Sequence, residues 1–387
     1  MSMPTVVVFA MTEVGHFQRL HPMIAGLTGM GAQVHVFTDR RFRNAVEEAG
    51  GSFVDMLGRH PLSRVDEESV PFPCRFVTFA GHYAEEIAAE VEAIGPSLIV
   101  CDTFAVIGRA VARLLDLPHV NVCNGHNLEP TRTKADLMAD QPQRISPRCE
   151  RAVELLRGRY GMPDASPYSY LDGISPLLNI YCEPPAFLTV EERRAFEPIA
   201  FHGSLPPPEA IEPSPPDRDL FASDAELKVY ASFGTVIWRY WPGEALRALT
   251  AVADAVERRA GASALISLGG FDVSEEAKRR LERPRVCVEA YVDQWQALAA
   301  ADVVVTHNGL NSTHEAIFCE VPMVSYPFFG DQPSLARRCA ELGLAVPMVE
   351  EPRGPLDEDA VHSALDELSR DRWRMRVSPP SSHSRAF

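Results

Sequence analysis

Short runs of apolar and β-branched residues alternate with longer segments of helical periodicity along most of the chain. Runs that are apolar at nearly every position indicate strands covered on both faces, and their alternation with helices is typical of a doubly wound parallel sheet. In the first half, the predicted strands are residues 5–10, 33–38, 52–56, 98–101, 119–123 and 178–181. The predicted helices there are residues 22–30, 83–94 and 106–115.

A proline-rich stretch at residues 204–218 interrupts this alternation. Proline removes backbone donors and favours extended chain, so the stretch is typical of a semi-rigid linker. The pattern then resumes with strands 228–232, 264–268, 286–291, 303–306 and 323–326 and helices 244–259, 312–319, 334–342 and 358–369.

We therefore predict an α/β protein with two Rossmann-like domains, residues 1–203 and 220–376. A linker at residues 204–219 would join them, and the polar tail at 377–387 is expected to be disordered. Two open parallel sheets of this kind should face each other across a cleft, with ligands at the carboxyl ends of the strands.

The composition excludes several classes of function. A formal net charge of -16 argues against a nucleic-acid-binding surface, which needs clustered basic residues. No apolar run reaches the ~18 residues that a membrane span requires, and the first residues lack the pattern of a signal peptide, so we expect a cytoplasmic protein. The eight cysteines are scattered without a Cys-x-x-Cys pair, which favours buried free thiols.

The segment after the predicted strand 303–306 carries the densest group of polar residues. The chain turns at Gly309 and enters a helix through Asn311, Ser312 and Thr313. The N-terminus of a helix attracts phosphate, so a diphosphate can be held here without a lysine-bearing phosphate loop, which the chain lacks. A plain helix cap is the alternative interpretation, and the spacing of the histidines does not match a metal-binding motif.

This segment also resembles a known family. The sequence His-Asn-Gly-Leu-Asn-Ser-Thr-His-Glu at 307–315, followed by Val-Pro at 321–322 and Asp-Gln at 331–332, is similar to the donor-binding signature of the UDP-glycosyltransferases. Members of this family have the GT-B fold of two Rossmann-like domains. The resemblance is specific over about residues 286–348. It implies transfer of a sugar from a UDP- or dTDP-linked donor, without a resident cofactor. Backside attack by an activated hydroxyl would invert the anomeric carbon, and a helix N-terminus with His307 could meet the charge of the leaving group without a metal.

The resemblance also assigns roles to individual residues. Tyr291 would stack on the nucleobase beside Gln294, at positions where the family commonly has Trp-x-Pro-Gln. Glu315 would accept hydrogen bonds from the ribose, while Asp331 and Gln332 would bind the transferred sugar. The residues implied to hold the diphosphate are Thr235, His307, Asn311, Ser312 and Thr313.

In the first domain, His16 follows the first predicted strand, at a position where the family carries a histidine. An imidazole there can take the proton of an acceptor hydroxyl as it attacks the sugar. Asp102, at the end of another strand, would fix the tautomer of the ring, although a helix cap is the alternative. His21 is a rival base with a more structural position, and Glu13 is expected in a loop without a partner.

The acceptor site is weakly specified. Phe79, His82 and His126 are candidates in predicted loops of the first domain, where ordinary packing is the alternative role. The resemblance implies a small, largely apolar natural product as the acceptor. The net charge argues against a nucleic-acid partner, and a homodimer remains open. The family usually ends in a helix that returns to the N-terminal domain, and residues 357–376 supply at most one or two helices for this purpose.

Other functions remain open from the sequence. A nicotinamide-linked dehydrogenase would need a Gly-x-Gly-x-x-Gly turn after the first strand, and only Gly15 is present there. A nucleotide-sugar epimerase of similar architecture is a closer alternative. A non-catalytic protein that binds nucleotide sugars is another, although the presence of both His16 and Asp102 disfavours it.

Overall fold

The computed structural model describes residues 3–69, 73–128, 130–140, 144–203, 219–356 and 358–369. The described residues divide into two compact units, an N-terminal unit up to residue 203 and a C-terminal unit from residue 219. The predicted linker lies outside the described residues, apart from Asp219. The predicted tail at 377–387 also lies outside them.

The N-terminal unit contains a parallel sheet of seven strands in the order β3-β2-β1-β4-β5-β6-β7. The strands are β1 (Thr5–Phe9), β2 (Gln33–Thr38), β3 (Ser52–Asp55), β4 (Leu98–Asp102), β5 (His119–Cys123), β6 (Leu178–Tyr181) and β7 (Ile199–Phe201). The helices are α1 (Val14–Gly29), α2 (Arg43–Glu48), α3 (Met56–Arg59), α4 (Cys74–Ile94), α5 (Val106–Leu114), α6 (Pro130–Asp140), α7 (Pro147–Gly158) and α8 (Val190–Arg193). Short 3-10 turns occupy Arg40–Phe42, Arg64–Glu68, Pro185–Phe187 and Arg194–Phe196.

The register of this sheet determines which side chains meet at its carboxyl edge. β1 pairs with β4, with Phe9 opposite Cys101, and β4 pairs with β5, with Asp102 opposite Val122. The segments that follow β1, β4 and β5 therefore begin side by side. Gly108 lets α5 lie directly on this part of the sheet, because a Cβ atom there would lie 2.5 Å from the Cys101 Sγ atom.

The C-terminal unit contains a second parallel sheet, with six strands in the order β10-β9-β8-β11-β12-β13. The strands are β8 (Leu227–Ser232), β9 (Ala262–Ser267), β10 (Val286–Glu289), β11 (Val303–Thr306), β12 (Met323–Ser325) and β13 (Ala345–Pro347). The helices are α9 (Ile237–Tyr240), α10 (Pro242–Arg258), α11 (Glu275–Leu281), α12 (Gln294–Ala300), α13 (Leu310–Phe318), α14 (Gln332–Glu341) and α15 (Glu358–Leu368).

The last described helix, α15, packs on the core of its own unit. Val361 and Leu365 are fully buried in the cluster that also contains the apolar face of α10. Arg258 of α10 forms ion pairs with Glu358 at 2.7 Å and Asp359 at 2.9 Å. Residues 370–387, where a further C-terminal helix was considered, lie outside the described part of the chain.

The predicted α/β class of two parallel sheets is confirmed, but the first helix was predicted wrongly. α1 begins at Val14, so both candidate bases, His16 and His21, lie in a helix with Pro22 in its interior. Gly15 and Pro22 weaken the local helix propensity, and packing of the apolar side of α1 against the sheet outweighs this. The short strands β7 and β13 were missed because three residues show no clear periodicity.

Two smaller features complete the description. All eight cysteines are free, and six of them are buried as predicted, whereas Cys287 is exposed on β10 and Cys319 is partly exposed. Among the residues described, no helix is both long enough and apolar enough to cross a membrane.

Candidate active site

The N-terminal unit brings His16 and Asp102 into direct contact. The Nδ1 atom of His16 lies 2.7 Å from a carboxylate oxygen of Asp102. His16 is in the first turn of α1 and Asp102 ends β4, so adjacent strands of the sheet create the pair. The imidazole is 17% exposed, whereas the carboxylate is completely buried. Asp102 can therefore hold one tautomer of the ring and stabilise its protonated form.

The geometry does not favour a role for Asp102 as a helix cap. α5 begins only at Val106, and its N-cap residue is Ala105. The same Asp102 oxygen that contacts His16 also accepts weakly from the backbone N–H of Phe104 at 3.3 Å. A third donor is the side-chain amide of Asn124, whose nitrogen lies 3.0 Å from that oxygen. The carboxylate is thus held mainly by groups that fix its orientation toward His16.

Other neighbours restrict the position of the imidazole. The Phe104 ring packs on it with 3.9 Å between ring centroids.

Just before α1, Glu13 forms a 3.0 Å ion pair with Arg75, and Arg75 also donates to Thr12 at 3.0 Å. The expectation that Glu13 lacks a partner was therefore wrong, because Arg75 comes from α4, which is distant in sequence.

The three acceptor candidates lie in different surroundings. Phe79 and His82 are in α4, not in loops as predicted, because α4 starts nine residues earlier than its apolar pattern indicated. Phe79 is buried in the core. The pKa of His82 is lowered by partial burial and by the nearby charges of Arg148 and Arg151. His126 follows β5, is completely buried, and contacts the Glu183 carboxylate at 2.6 Å. His126 therefore has a hydrogen-bond partner inside the unit.

In the C-terminal unit, a tight turn after β11 places His307 beside two glycines. A Cβ atom on Gly234 would lie 3.0 Å from the His307 ring, and one on Gly309 would overlap it. Asn308, between these residues, adopts a positive φ of 57°, which asparagine tolerates better than most residues. Burial lowers the pKa of His307 to about 4, opposed by the carbonyl of Ser232, so the ring is neutral near pH 7.

The turn leads directly into α13, whose N-cap residue is Gly309. The Thr313 N–H donates to the Gly309 carbonyl at 2.9 Å. The N–H groups of the first turn of a helix point out of its N-terminal end. Asn311 and Ser312 are half-buried at this end, whereas Thr313 is fully buried. Thr235 is exposed in the turn after β8, the strand that pairs with β11. This arrangement suits an anion.

Three predicted donor residues form one hydrogen-bonded group. The side-chain nitrogen of Gln294 donates to the Ser312 hydroxyl at 3.1 Å and also to the Glu315 carboxylate. The Tyr230 hydroxyl lies 3.5 Å from the Gln294 amide oxygen. Tyr291, predicted to stack on the base, is 71% exposed just before this group. Its ring is thus accessible to a planar ligand.

The two predicted sugar-binding residues start α14. Asp331 is its N-cap residue and is partly exposed. Gln332 is buried, and its amide oxygen accepts from the backbone N–H groups of Phe328 at 2.9 Å and Phe329 at 3.2 Å. The oxygen is therefore committed to the fold, and the amide nitrogen is the group that can address a sugar hydroxyl.

Some residues of these sites could not be found from the sequence. Phe104 and Asn124 contact the His16–Asp102 pair, and Tyr230 contacts the Gln294 group. Each lies on or just after a strand whose apolar pattern gives no sign of function. Only the register of neighbouring strands brings these residues to the sites.

The comparisons with known proteins agree with this architecture. A family model described as UDP-glucoronosyl and UDP-glucosyl transferase matches residues 222–378. An NDP-glycosyltransferase, YjiC from Bacillus licheniformis, is 24% identical over 88% of this chain and 83% of its own length. The crystal structure of the glycosyltransferase of kitacinnamycin superposes with a TM-score of 0.74 at 20% identity, covering 97% of this chain and 94% of the other.

A further structure, the spinosyn rhamnosyltransferase SpnG complexed with thymidine diphosphate, gives a TM-score of 0.61 at 18% identity, over 97% of this chain and 94% of the other. The two sheets thus define the GT-B fold of glycosyltransferases. The resemblance seen in the sequence is confirmed. The chain is a glycosyltransferase, and residues 222–378 carry its match to the family model.

Proposed function

We propose that this glycosyltransferase transfers a sugar from a UDP- or dTDP-linked donor to a hydroxyl group of a small, largely apolar natural product. The transfer inverts the anomeric carbon and requires neither a metal ion nor a resident cofactor. The observation that carries the proposal is the 2.7 Å contact between His16 and Asp102, which is the geometry of a general base with an orienting carboxylate.

The donor belongs to the C-terminal unit. The N-terminus of α13 and the neutral His307 supply N–H donors for the diphosphate, and such donors stabilise negative charge on a leaving group. Tyr291 offers an exposed ring to the base. Glu315 accepts a hydrogen bond from Gln294, and its carboxylate can accept from ribose hydroxyls as well. The thymidine diphosphate bound by a protein of the same fold makes a dTDP-linked donor as reasonable as a UDP-linked one.

The reaction then follows from the base. The acceptor hydroxyl attacks the anomeric carbon while its proton passes to the Nε2 atom of His16. The bond between that carbon and the diphosphate oxygen breaks, and the nucleoside diphosphate leaves with the electron pair. Asp102 stabilises the imidazolium that forms. Because a single displacement occurs from the face opposite the leaving group, the configuration at the anomeric carbon inverts.

The alternatives have less support. An epimerase would not require a base for an acceptor hydroxyl, and a protein that only binds nucleotide sugars would need neither His16 nor Asp102. The kinship with named glycosyltransferases also favours transfer.

The test starts from a panel of nucleotide sugars screened by thermal shift, since a ligand that binds the folded state raises its stability by RT ln(1 + [L]/Kd). The stabilising donor is then incubated with a set of phenolic, polyene and macrolide alcohols. We expect a glycoside of inverted configuration, identified by the coupling constant of its anomeric proton. An epimerised donor formed without acceptor, or a product with retained configuration, would contradict the proposal.

A further inference from the structure

We propose that Asn124 and Cys182 are positioning residues of the catalytic base, forming a hydrogen-bonded chain that runs from Cys182 through Asn124 and Asp102 to His16. This inference rests on the proposed function, because it assumes that His16 is the base. It adds two residues, neither marked by the sequence, that would act on the reaction only through Asp102.

The contacts of Asn124 define its orientation. Its amide nitrogen lies 3.0 Å from the Asp102 oxygen that contacts His16, and 3.4 Å from the backbone carbonyl of His16. Its amide oxygen lies 3.2 Å from the Sγ atom of Cys182. A carboxylate and a carbonyl can only accept, so the NH₂ group must face them, while the thiol donates to the amide oxygen.

Cys182 completes the chain as a thiol. It follows β6 directly and is fully buried, and its backbone N–H donates to the Cys123 carbonyl at 3.2 Å. Burial raises the pKa of the Cys182 thiol to about 12, so the S–H proton is retained at neutral pH. The thiol therefore prevents the Asn124 amide from turning its oxygen toward the carboxylate. Three charged side chains also affect the pKa of the Cys182 thiol: Arg19 of α1 lowers it, whereas Asp102 and the neighbouring Glu183 raise it.

Two consequences follow for the base. Asn124 ties the backbone of α1 at His16 to the end of β5, which limits movement of the imidazole relative to Asp102. Its N–H also withdraws charge from the carboxylate. Without that donor, the carboxylate would hold the protonated imidazole more strongly, and His16 would lose its proton only at higher pH.

The experiment compares the pH profiles of kcat/KM for the full-length wild type, Asn124→Leu, Cys182→Ala and Cys182→Ser, with the donor found by thermal shift. For Asn124→Leu we expect kcat to fall about ten- to a hundredfold, which is the size typical of losing a hydrogen bond to a charged group. The acid limb of the pH profile should also move to higher pH. Cys182→Ala should lose about three- to tenfold, and Cys182→Ser, which keeps a donor, should stay within about twofold of the wild type. Affinity for the nucleoside diphosphate should not change in any of them.

Asn121→Leu is the matched control. Asn121 is a buried asparagine on β5 whose side chain also contacts a cysteine, here through the amide nitrogen, which lies 3.1 Å from the Cys123 sulfur and 3.5 Å from the Asn179 amide oxygen. This substitution should lower stability while leaving the acid limb in place. If Asn121→Leu moves the acid limb as far as Asn124→Leu does, the effect is general packing and the inference is wrong.

Two further outcomes separate the inference from the proposed function. A folded Asn124→Leu enzyme with the wild-type kcat and acid limb overturns the inference, while loss of turnover in His16→Ala would leave the proposed base intact. Full turnover in His16→Ala overturns both. If Asn124→Leu does not fold, the pair Cys182→Ala and Cys182→Ser decides the question. Equal activity in these two variants contradicts the proposed hydrogen-bonded chain.

Discussion

Gly309 lies against the imidazole ring of His307, so that a methyl group at position 309 would overlap the Nε2 side of the ring. The backbone at Gly309 has a φ of -64°, which any residue can adopt. The requirement for glycine here is therefore steric and comes from His307, not from the turn itself. The sequence shows a glycine between a strand and a helix, but only the structure shows which side chain needs it.

Gly309→Ala should consequently displace the His307 ring and weaken donor binding. We expect the affinity for the nucleoside diphosphate, measured by calorimetric titration, to fall about tenfold or more, because a hydrogen bond to a charged phosphate is lost or distorted. Gly243→Ala is the control, since a Cβ atom there would approach only the end of the Arg247 side chain, at 3.5 Å. Equal affinities in the two variants would remove His307 from the donor site.

His307→Ala tests the same contact by removing the ring. The neutral imidazole can donate one hydrogen bond to the diphosphate, and bonds to charged groups are worth about 1.5–3 kcal/mol. Donor affinity or turnover should fall by roughly ten- to a hundredfold, with the circular dichroism spectrum unchanged. A folded variant with wild-type kinetics would count against the whole group of donor residues around α13.

His307 also makes stability depend on pH. Its pKa of about 4 in the folded state is below the ordinary value of 6.5, so the unfolded chain binds the proton first as the pH falls. The stabilisation is complete above about pH 6.5 and is lost progressively down to about pH 4, by at most roughly 3 kcal/mol. His307→Asn should flatten the fall of the unfolding free energy over this range, as measured by urea denaturation at several pH values. A slope identical to that of the wild type would show that His307 does not titrate in this way.

Much of the architecture could be predicted because buried parallel strands are continuous apolar runs. Strands β2, β5, β6 and β11 have the predicted bounds. The predicted donor residues Gln294, Ser312 and Glu315 were assigned because their segments resemble a family signature, in which the spacing of residues along the chain is the signal. The hydrogen bonds among these three side chains bring them together as a group.

The remaining features depend on contacts between distant segments. Asn124 is 22 residues beyond Asp102, and the two meet because β4 and β5 pair with Asp102 opposite Val122. The ion pair of Glu13 with Arg75 joins positions that are 62 residues apart. No local pattern encodes such pairs. The start of α1 was missed for a related reason, because tertiary packing outweighs the weak helix propensity around Gly15.

Removal of divalent metal ions should leave transfer unchanged. In the proposed reaction, the leaving diphosphate is stabilised by N–H groups at the start of α13 and by His307. Initial rates measured after dialysis against EDTA should match those measured with added Mg²⁺ within about twofold, far less than the effect of losing one hydrogen bond to a charged group. Activity that disappears in EDTA and returns with Mg²⁺ or Mn²⁺ would mean that a metal ion carries the leaving-group charge.

The last prediction separates the base from the donor site. His16→Ala should lower the rate of transfer by about 10²–10⁴-fold, the contribution typical of a positioned general base. Its affinity for the nucleoside diphosphate should stay near the wild-type value, since the predicted donor residues belong to the C-terminal unit. Asp102→Asn should also slow transfer, because an amide can hold the wrong tautomer of the ring and cannot stabilise the imidazolium.

The double variant distinguishes cooperation from two separate defects. Asp102 acts on the reaction through its 2.7 Å contact with His16, so the loss in the double variant should equal that of His16→Ala alone. His21→Ala is the matched control, because His21 lies in the same helix, five residues further along, and should retain near wild-type turnover. Additive losses from His16 and Asp102 would mean that the carboxylate has an independent role. If His21→Ala loses most of its turnover while His16→Ala remains active, the base is His21 and not His16.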